Sequence, residues 1–179
     1  MEFKRLHSKT IFQGRAFEVR QETVRLPTGR EMVLDLVSHV GAVTILPLDA
    51  DGHIWLVRQY RIGAGEYLLE LPAGTLSPRE EPEACAAREL REEIGMAANS
   101  LRKIGEFYMA PGYSTEFMHV YLAEGLFSAP LERDADEFLE VISIPVQEVY
   151  AMAARNEIRD GKTLATLMLA RPLLSERLY

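Results

Sequence analysis

Apolar and polar residues alternate over much of the first part of the chain. Residues 17–20, 22–26 and 32–37 show this period of two, and a Pro-Thr-Gly turn at residues 27–29 separates the last two segments. Because successive side chains of a strand point to opposite faces of a sheet, the alternation predicts antiparallel strands joined by a hairpin turn. We therefore expect residues 1–40 to form an N-terminal antiparallel β extension.

The pattern changes at residue 41, where near-continuous apolar runs replace the alternation. Two such runs, residues 42–48 and 54–57, flank an Asp-Ala-Asp-Gly turn. Continuous apolar runs of this length are typical of strands that are buried on both faces. Residues 67–71 and 117–123 predict further strands. We expect residues 41–179 to form a second, larger domain.

A helix is predicted at residues 81–94, where charged residues are frequent. Ser77 and Glu80 have the spacing of a capping box at the helix entrance, and Gly95 is the residue type that ends helices. Two further helices, separated by an Asp-Gly pair, are predicted within residues 145–178. The apolar face predicted for the first helix consists of Ala87, Leu90 and Ile94.

Three carboxylates share a second face of the first helix. Glu89, Glu92 and Glu93 are three and four residues apart or adjacent, so their side chains are neighbours. Like charges at this spacing destabilise a helix, and a hard divalent cation such as Mg²⁺ would offset the repulsion through oxygen ligands. A solvated helix face without any ligand is the alternative interpretation.

Composition and charge indicate a globular protein and argue against some classes of partner. The chain has 179 residues, of which 47% are hydrophobic and 26% charged, as in an ordinary globular protein with a sizeable core. A net charge of -7 argues against an extended nucleic-acid surface, which needs clustered Lys and Arg. Cys85 is the single cysteine, so no intrachain disulfide is expected. Neither a signal peptide nor a membrane-length apolar span is evident, and a cytoplasmic location is predicted.

The glycine, the acidic loop and the helix together match a known signature. Gly74 is followed after five residues by Glu80, and after seven more by Arg-Glu-Leu-Arg-Glu-Glu-Ile-Gly-Met at residues 88–96. This arrangement resembles a complete Nudix box, with every fixed position filled. The resemblance implies an α/β/α sandwich on a mixed sheet and a hydrolase of nucleoside diphosphates linked to another moiety.

The same resemblance assigns roles to residues of the box. It implies that the carboxylates of Glu89, Glu92 and Glu93 bind Mg²⁺, with Mn²⁺ as a possible substitute. It also implies that the backbone carbonyl of Ala73 completes a metal site. Glu80 and Arg88 are expected to form an ion pair that fixes the loop to the helix. Glu92 and Glu93 are accordingly counted among the predicted catalytic residues.

Features outside the box resemble the ADP-ribose pyrophosphatase branch of the Nudix family. Pro111 lies some fifteen residues beyond the box, where that branch carries a proline. The resemblance implies that Gly112, Ser114 and Glu116, which follow in the same loop, contact the substrate. A plain β-turn before a strand is the alternative for this loop. The N-terminal extension resembles the small sheet that crosses to the partner subunit in that branch, which implies a homodimer.

Three further residues are predicted to bind substrate. Arg61 ends the Arg-Gln-Tyr-Arg run of residues 58–61. An arginine guanidinium can donate two parallel hydrogen bonds to two oxygens of a phosphate. The run also resembles the branch, which implies that Arg61 contacts the substrate pyrophosphate. Arg15 and Phe17 of the extension are candidate phosphate and base contacts. A core or interface position is the alternative for the aromatic ring.

An acidic stretch late in the chain supplies the candidate general base. The Glu-Phe-Leu-Glu-Val-Ile-Ser run that begins at Glu137 resembles the catalytic loop of the branch, which implies that Glu137 activates water or binds metal. Some relatives carry another glutamate two residues earlier, where this chain has Ala135. Glu140 and Glu116 remain alternatives for the base.

Taken together, the resemblance predicts Mg²⁺-dependent hydrolysis of ADP-ribose to AMP and ribose 5-phosphate. Other nucleotide sugars or dinucleotides, namely GDP-mannose, NADH, FAD or diadenosine polyphosphates, are alternative substrates. A non-catalytic sensor of ADP-ribose is the alternative outside enzymes. The complete set of box glutamates favours the enzyme, and the chain has no basic stretch or helix-turn-helix signal for binding DNA.

Overall fold

The computed structural model describes residues 2–132 and 138–178. The chain divides into two compact units. The first comprises Met1–Gly41 together with Tyr108–Phe117, and the second comprises Ala42–Phe107 together with Met118–Tyr179. Among the described residues, no helix has both the length and the apolar character required to cross a membrane.

The first unit contains a three-stranded antiparallel sheet in the order β1-β2-β3. Its strands are β1 (Lys4–Gln13), β2 (Glu18–Arg25) and β3 (Glu31–Ser38). Between β2 and β3, Gly29 has φ +84°, a left-handed conformation that favours glycine, and its N–H donates to the carbonyl of Leu26 at 2.9 Å. The predicted N-terminal antiparallel extension is thereby confirmed.

The loop of residues 108–117 is hydrogen-bonded to the end of β3 within this unit. The Val37 N–H donates to the Tyr113 carbonyl at 2.8 Å, and the Thr115 N–H donates to the Val37 carbonyl at 2.9 Å. The Thr115 hydroxyl accepts from the His39 N–H at 2.9 Å. A segment remote in sequence is therefore fixed to the extension by backbone hydrogen bonds.

The second unit is built on a mixed sheet with seven strands in the part of the chain that the structure describes. The main order is β10-β5-β4-β9-β8, with β6 paired to β5 and β7 paired to β4. Strands β4 and β9 are parallel, whereas β5 is antiparallel to β4, β6 and β10. The strands are β4 (Ala42–Leu48), β5 (His53–Arg61), β6 (Glu66–Glu70), β7 (Ala73–Thr75), β8 (Met96–Tyr108), β9 (Phe117–Ser128) and β10 (Leu139–Pro145).

Helices cover both faces of this sheet. Alternate residues of β4 belong to different cores, because Val43 and Ile45 pack with the first helix whereas Leu46 and Leu48 pack with the later helices. This two-sided packing confirms the predicted α/β/α sandwich. The helices are α1 (Pro82–Glu93), α2 (Val146–Ala154), α3 (Gly161–Ala170) and, after a 3-10 turn at Arg171–Leu173, the short α4 (Ser175–Leu178).

Two details of α1 differ from the sequence-based expectation. Ala87 is exposed, and Cys85 and Ala86 take its place in the core beside Leu90. The helix is rotated so that the face carrying two of the glutamates is buried, which turns Ala87 outward. The expected capping box does not cap α1, because the N-cap residue is Glu81 and no side chain caps the helix. The Glu80 carboxylate does accept from the Ser77 N–H at 2.9 Å, but in the loop before the helix.

Candidate active site

A close contact joins the loop after β6 to helix α1. A Cβ atom added at Gly74 would lie 1.8 Å from Oε1 of Glu89 and 1.9 Å from its carboxyl carbon. Only glycine therefore leaves room for this carboxylate beside the backbone. Glu89 is itself buried, with 6% of its surface exposed.

Glu93 is anchored to the same loop. Its Oε2 accepts a hydrogen bond from the Ala73 N–H at 3.1 Å, and the residue is 3% exposed. The short strand β7, which contains Ala73, pairs with β4 of the central sheet. The sheet thus fixes the loop, and the loop in turn fixes the carboxylate of Glu93.

Arg88 links three carboxylates of the box, those of Glu80, Glu89 and Glu92. Its Nη1 lies 2.6 Å from Oε1 of Glu89 and 2.7 Å from Oε2 of Glu92. Its Nε and Nη2 donate to the two carboxylate oxygens of Glu80 at 2.9 and 3.0 Å. The structure therefore contains the expected Glu80–Arg88 pair, and the same guanidinium offsets repulsion between Glu89 and Glu92.

The electrostatics of the loop follow from these contacts. The hydrogen bond from Arg88, aided by the Ser77 N–H, lowers the pKa of Glu80 from its ordinary value of 4.5 to about 2. Glu80 is therefore ionised at neutral pH. Burial raises the pKa of the Cys85 thiol to about 12, so this cysteine has no thiolate character for nucleophilic chemistry.

Arg61 forms a second charged group near α1. Its Nε and Nη2 donate to the two oxygens of Glu70 at 2.7 and 2.6 Å, and the Glu70 side chain is 1% exposed. The hydrogen bond with Glu70 raises the pKa of Arg61, and the negative charges of Glu93 and Asp160 add to the effect. The Arg61 side chain retains 40% exposure and can therefore meet a ligand.

All the other predicted substrate contacts belong to the first unit. Arg15 is exposed and Phe17 is 42% exposed. The ring centroids of Phe17 and Phe12 lie 6.4 Å apart. Gly112 is exposed in the 108–117 loop, where the buried Ser114 hydroxyl accepts from the Glu116 N–H at 3.1 Å. This hydrogen bond shapes the loop. The roles of these residues remain predictions.

The predicted base lies outside the described residues, and so does Ala135. Glu137 belongs to residues 133–137. The alternative base Glu140 lies on β10, where its carboxylate is 3.5 Å from Nη1 of Arg58.

The donor set of the box fits a hard divalent cation. Its side chains offer only carboxylate oxygens, which Mg²⁺ and Mn²⁺ prefer. Within residues 2–132 and 138–178, no three His, Cys, Asp or Glu side chains are arranged together as metal ligands. Arg88 Nη1 contacts Oε1 of Glu89 and Oε2 of Glu92, which is one oxygen of each carboxylate.

Comparison with known proteins identifies the family. The NUDIX domain model matches residues 38–167, which is well over half of the chain. The chain belongs to the NUDIX domain family. This finding confirms the family predicted from residues 74–96, and proteins of this family generally need divalent metal ions.

Named relatives match nearly the whole chain. An ADP-ribose pyrophosphatase of Bacillus subtilis is 38% identical over 165 residues, which cover 91% of this chain and 89% of the relative. An ADP-ribose pyrophosphatase of Mycobacterium tuberculosis is 36% identical over 170 residues, which cover 93% of this chain and 82% of the relative. A crystal structure of an ADP compounds hydrolase superposes with a TM-score of 0.86 at 27% identity, covering 99% of this chain and 96% of that one.

Sequence reasoning missed one part of the site, namely the start of α3. Lys162 contacts the buried Glu70, and the Thr163 hydroxyl accepts from the Leu71 N–H at 2.9 Å. No role for this lysine and threonine follows from the sequence. The Asp160-Gly161 pair marked the beginning of the helix, but nothing in the sequence indicated what the helix would contact.

Proposed function

We propose that this Nudix hydrolase cleaves the pyrophosphate bond of ADP-ribose with Mg²⁺. The reaction consumes one water and releases AMP and ribose 5-phosphate. The observation that carries the proposal is the pair of buried carboxylates, Glu89 and Glu93, held against the loop at residues 73–74. The choice of substrate is supported by the two ADP-ribose pyrophosphatases that match more than 90% of this chain.

The residues of the box have distinct tasks in this proposal. The carboxylates of Glu89, Glu92 and Glu93, with the Ala73 carbonyl, would hold Mg²⁺. When bound there, Mg²⁺ lowers the pKa of a coordinated water and stabilises negative charge on the phosphate oxygens. Burial of Glu89 and Glu93 keeps these carboxylates in fixed positions, so little reorganisation is needed when the substrate binds.

Arg61 and Glu137 complete the proposed machinery. The exposed part of the Arg61 guanidinium contacts a phosphate oxygen and contributes fixed positive charge to the binding of the substrate pyrophosphate. Glu137 takes a proton from the attacking water. Arg15, Phe17 and the loop of Gly112, Ser114 and Glu116 are proposed to bind the remainder of the nucleotide.

A homodimer is part of the same proposal. The sheet of the first unit exposes apolar side chains that a second copy of the chain would cover, since an exposed apolar patch commonly marks an interaction surface. All ten residues of β1 are exposed. The exposed apolar residues of this sheet include Leu6, Ile11, Phe12, Met32, Val33 and Leu34.

Product analysis tests the proposed reaction. AMP or GMP release is measured, with Mg²⁺ and with EDTA, from ADP-ribose, GDP-mannose, NADH, FAD and diadenosine polyphosphates. We expect ADP-ribose to give the highest kcat/KM and EDTA to abolish turnover. A higher value for another compound contradicts the choice of substrate, and binding of ADP-ribose without any turnover contradicts the enzymatic function.

A further inference from the structure

The N-terminal end of α3 contacts the strand that leads into the metal-binding loop. Asp160 caps the helix, because its Oδ2 accepts from the Thr163 N–H at 2.9 Å and from the Thr163 hydroxyl at 2.6 Å. The same hydroxyl accepts from the N–H of Leu71, two residues before Ala73. Thr163 and Leu71 are both fully buried. This chain of hydrogen bonds ties the helix start to the catalytic loop.

A lysine of the same helix turn shares the carboxylate that holds Arg61. Lys162 contacts Oε2 of Glu70, the oxygen that also accepts from Arg61 Nη2 at 2.6 Å. The Lys162 ammonium lies 2.9 Å from Oδ1 of Asp160 as well. The side chains of Lys162 and Asp160 are only 13% and 12% exposed. Glu70 is therefore held by cations from two elements that are far apart in sequence.

The sharing of Glu70 affects the charge that Arg61 presents. Burial alone would raise the pKa of Glu70, but Arg61 and Lys162 outweigh burial and lower it, so the carboxylate stays ionised. With Arg61 as its sole partner, this one negative charge would neutralise the guanidinium. Lys162 also pairs with Glu70 and so takes up part of its negative charge. The negative charge of Asp160 is partly offset by the helix N-terminus, whose partial charge is positive. Arg61 thus keeps positive charge for a ligand.

We propose that Lys162 is a positioning residue for Arg61, acting through Glu70 to orient the guanidinium and preserve its charge for the substrate pyrophosphate. This inference rests on the proposed function, in which Arg61 contacts a phosphate. It assigns a task to the first turn of α3, which lies about ninety residues after the strand it supports. Lys162 itself does not contact the substrate.

Steady-state kinetics with ADP-ribose tests the role of Lys162. We expect Lys162→Met to raise KM about tenfold while kcat changes less than about threefold, because loss of a charge-assisted phosphate contact weakens binding. Lys162→Arg retains the positive charge and should restore KM to within about twofold of the wild type. The matched control is Lys103→Met, which removes an exposed lysine paired with Glu106 and should leave both constants unchanged.

A double-mutant cycle tests whether Lys162 acts through Arg61. In the Arg61→Gln background, Lys162→Met should change KM less than about twofold, because the residue it positions is absent. An equal effect in both backgrounds would overturn the inference. An unchanged KM in a folded Lys162→Met protein, verified by circular dichroism and thermal unfolding, would overturn it as well.

A second variant keeps the test informative if Lys162→Met does not fold. Asp160→Asn retains a good helix cap but removes the negative charge beside Lys162. The added net positive charge should lower KM about two- to threefold, and a rise in KM would contradict the inference.

A wild-type protein that hydrolyses no compound of the panel refutes the proposed function and the inference with it. Normal wild-type turnover with insensitive variants refutes the inference alone.

Discussion

Individual side chains of the box differ in what their loss would do. Glu93 accepts a hydrogen bond from the Ala73 N–H, and it is also a proposed metal ligand. Glutamine can still accept that hydrogen bond but provides a neutral oxygen for the metal. The two tasks of Glu93 can therefore be separated by a single substitution.

Glu93→Gln is expected to lower kcat at least about a hundredfold while the fold is retained, since a lost major catalytic group has an effect of this size. The measurements are AMP release from ADP-ribose and the thermal unfolding midpoint. Glu83→Gln, on an exposed position of the same helix, is the control and should retain wild-type turnover. Near-normal activity of Glu93→Gln would refute the metal assignment.

Glu80 makes stability depend on pH. Its pKa of about 2 in the folded chain lies below the ordinary value of 4.5, so folding favours the ionised carboxylate. The stabilisation is fully present above pH 4.5 and is lost as pH falls from 4.5 toward 2. The partner that provides it is Arg88, through two hydrogen bonds.

Glu80→Gln should therefore lower the free energy of unfolding at pH 7 by about 2 kcal/mol, a value discounted for solvent screening. The difference from the wild type should shrink as the pH is lowered from 5 to 3. Urea unfolding of both proteins at pH 7, 5, 4 and 3 provides the measurement. A difference that stays constant over this range would show that Glu80 stabilises the chain by other means than its charge.

At the scale of elements, the catalytic unit is a loop and a helix that shape each other. Glycine is required at position 74 of the loop, because the Glu89 side chain lies against the backbone there. On the helix, Arg88 forms ion pairs with both Glu89 and Glu92 and so reduces the repulsion between these carboxylates. The atoms that a Cβ at Gly74 would meet belong to the Glu89 side chain, which can rotate. A substitution there should consequently disturb the metal site more than the fold.

We expect Gly74→Ala to raise the Mg²⁺ concentration for half-maximal activity about tenfold or more, because the Glu89 carboxylate must leave its position. The loss in unfolding free energy should stay below about 3 kcal/mol, the usual limit for overpacking. Gly63→Ala is the matched control, because a Cβ atom at Gly63 would have no atom within 4 Å. Wild-type Mg²⁺ dependence in Gly74→Ala would contradict the role of Glu89.

At the scale of the whole molecule, the exposed apolar sheet of the first unit is the basis for the proposed homodimer. A stable interface buries roughly 800 Å² on each partner, and apolar side chains at its centre contribute most of the affinity. Ile11 on β1 is 50% exposed and belongs to this sheet.

Analytical ultracentrifugation should detect a dimer of the wild-type chain at micromolar concentration. Ile11→Glu should shift the equilibrium to the monomer, because a charge at the interface centre is costly to desolvate. Ile62→Glu is the control, since Ile62 is 92% exposed in the second unit. A wild-type monomer at this concentration, or a dimer insensitive to Ile11→Glu, would contradict the proposal.

The sequence alone determined the features that depend on local spacing. Alternation over residues 17–37 predicted the antiparallel extension, and continuous apolar runs predicted the buried strands of the sandwich. The positions of Gly74, Glu80 and residues 88–96 identified the family, because the box is contiguous and its residues act within one loop and one helix. Period and spacing are properties of the chain itself, so they can be read without coordinates.

Tertiary structure decided which faces and distant residues meet. It turned Ala87 outward, since packing against the sheet rather than the apolar pattern of α1 fixed the rotation of the helix. It joined residues 108–117 to the end of β3 and brought Lys162 to Glu70 across a separation of 92 residues. Such contacts arise from the folding of the whole sheet and its helices, and no local pattern encodes them.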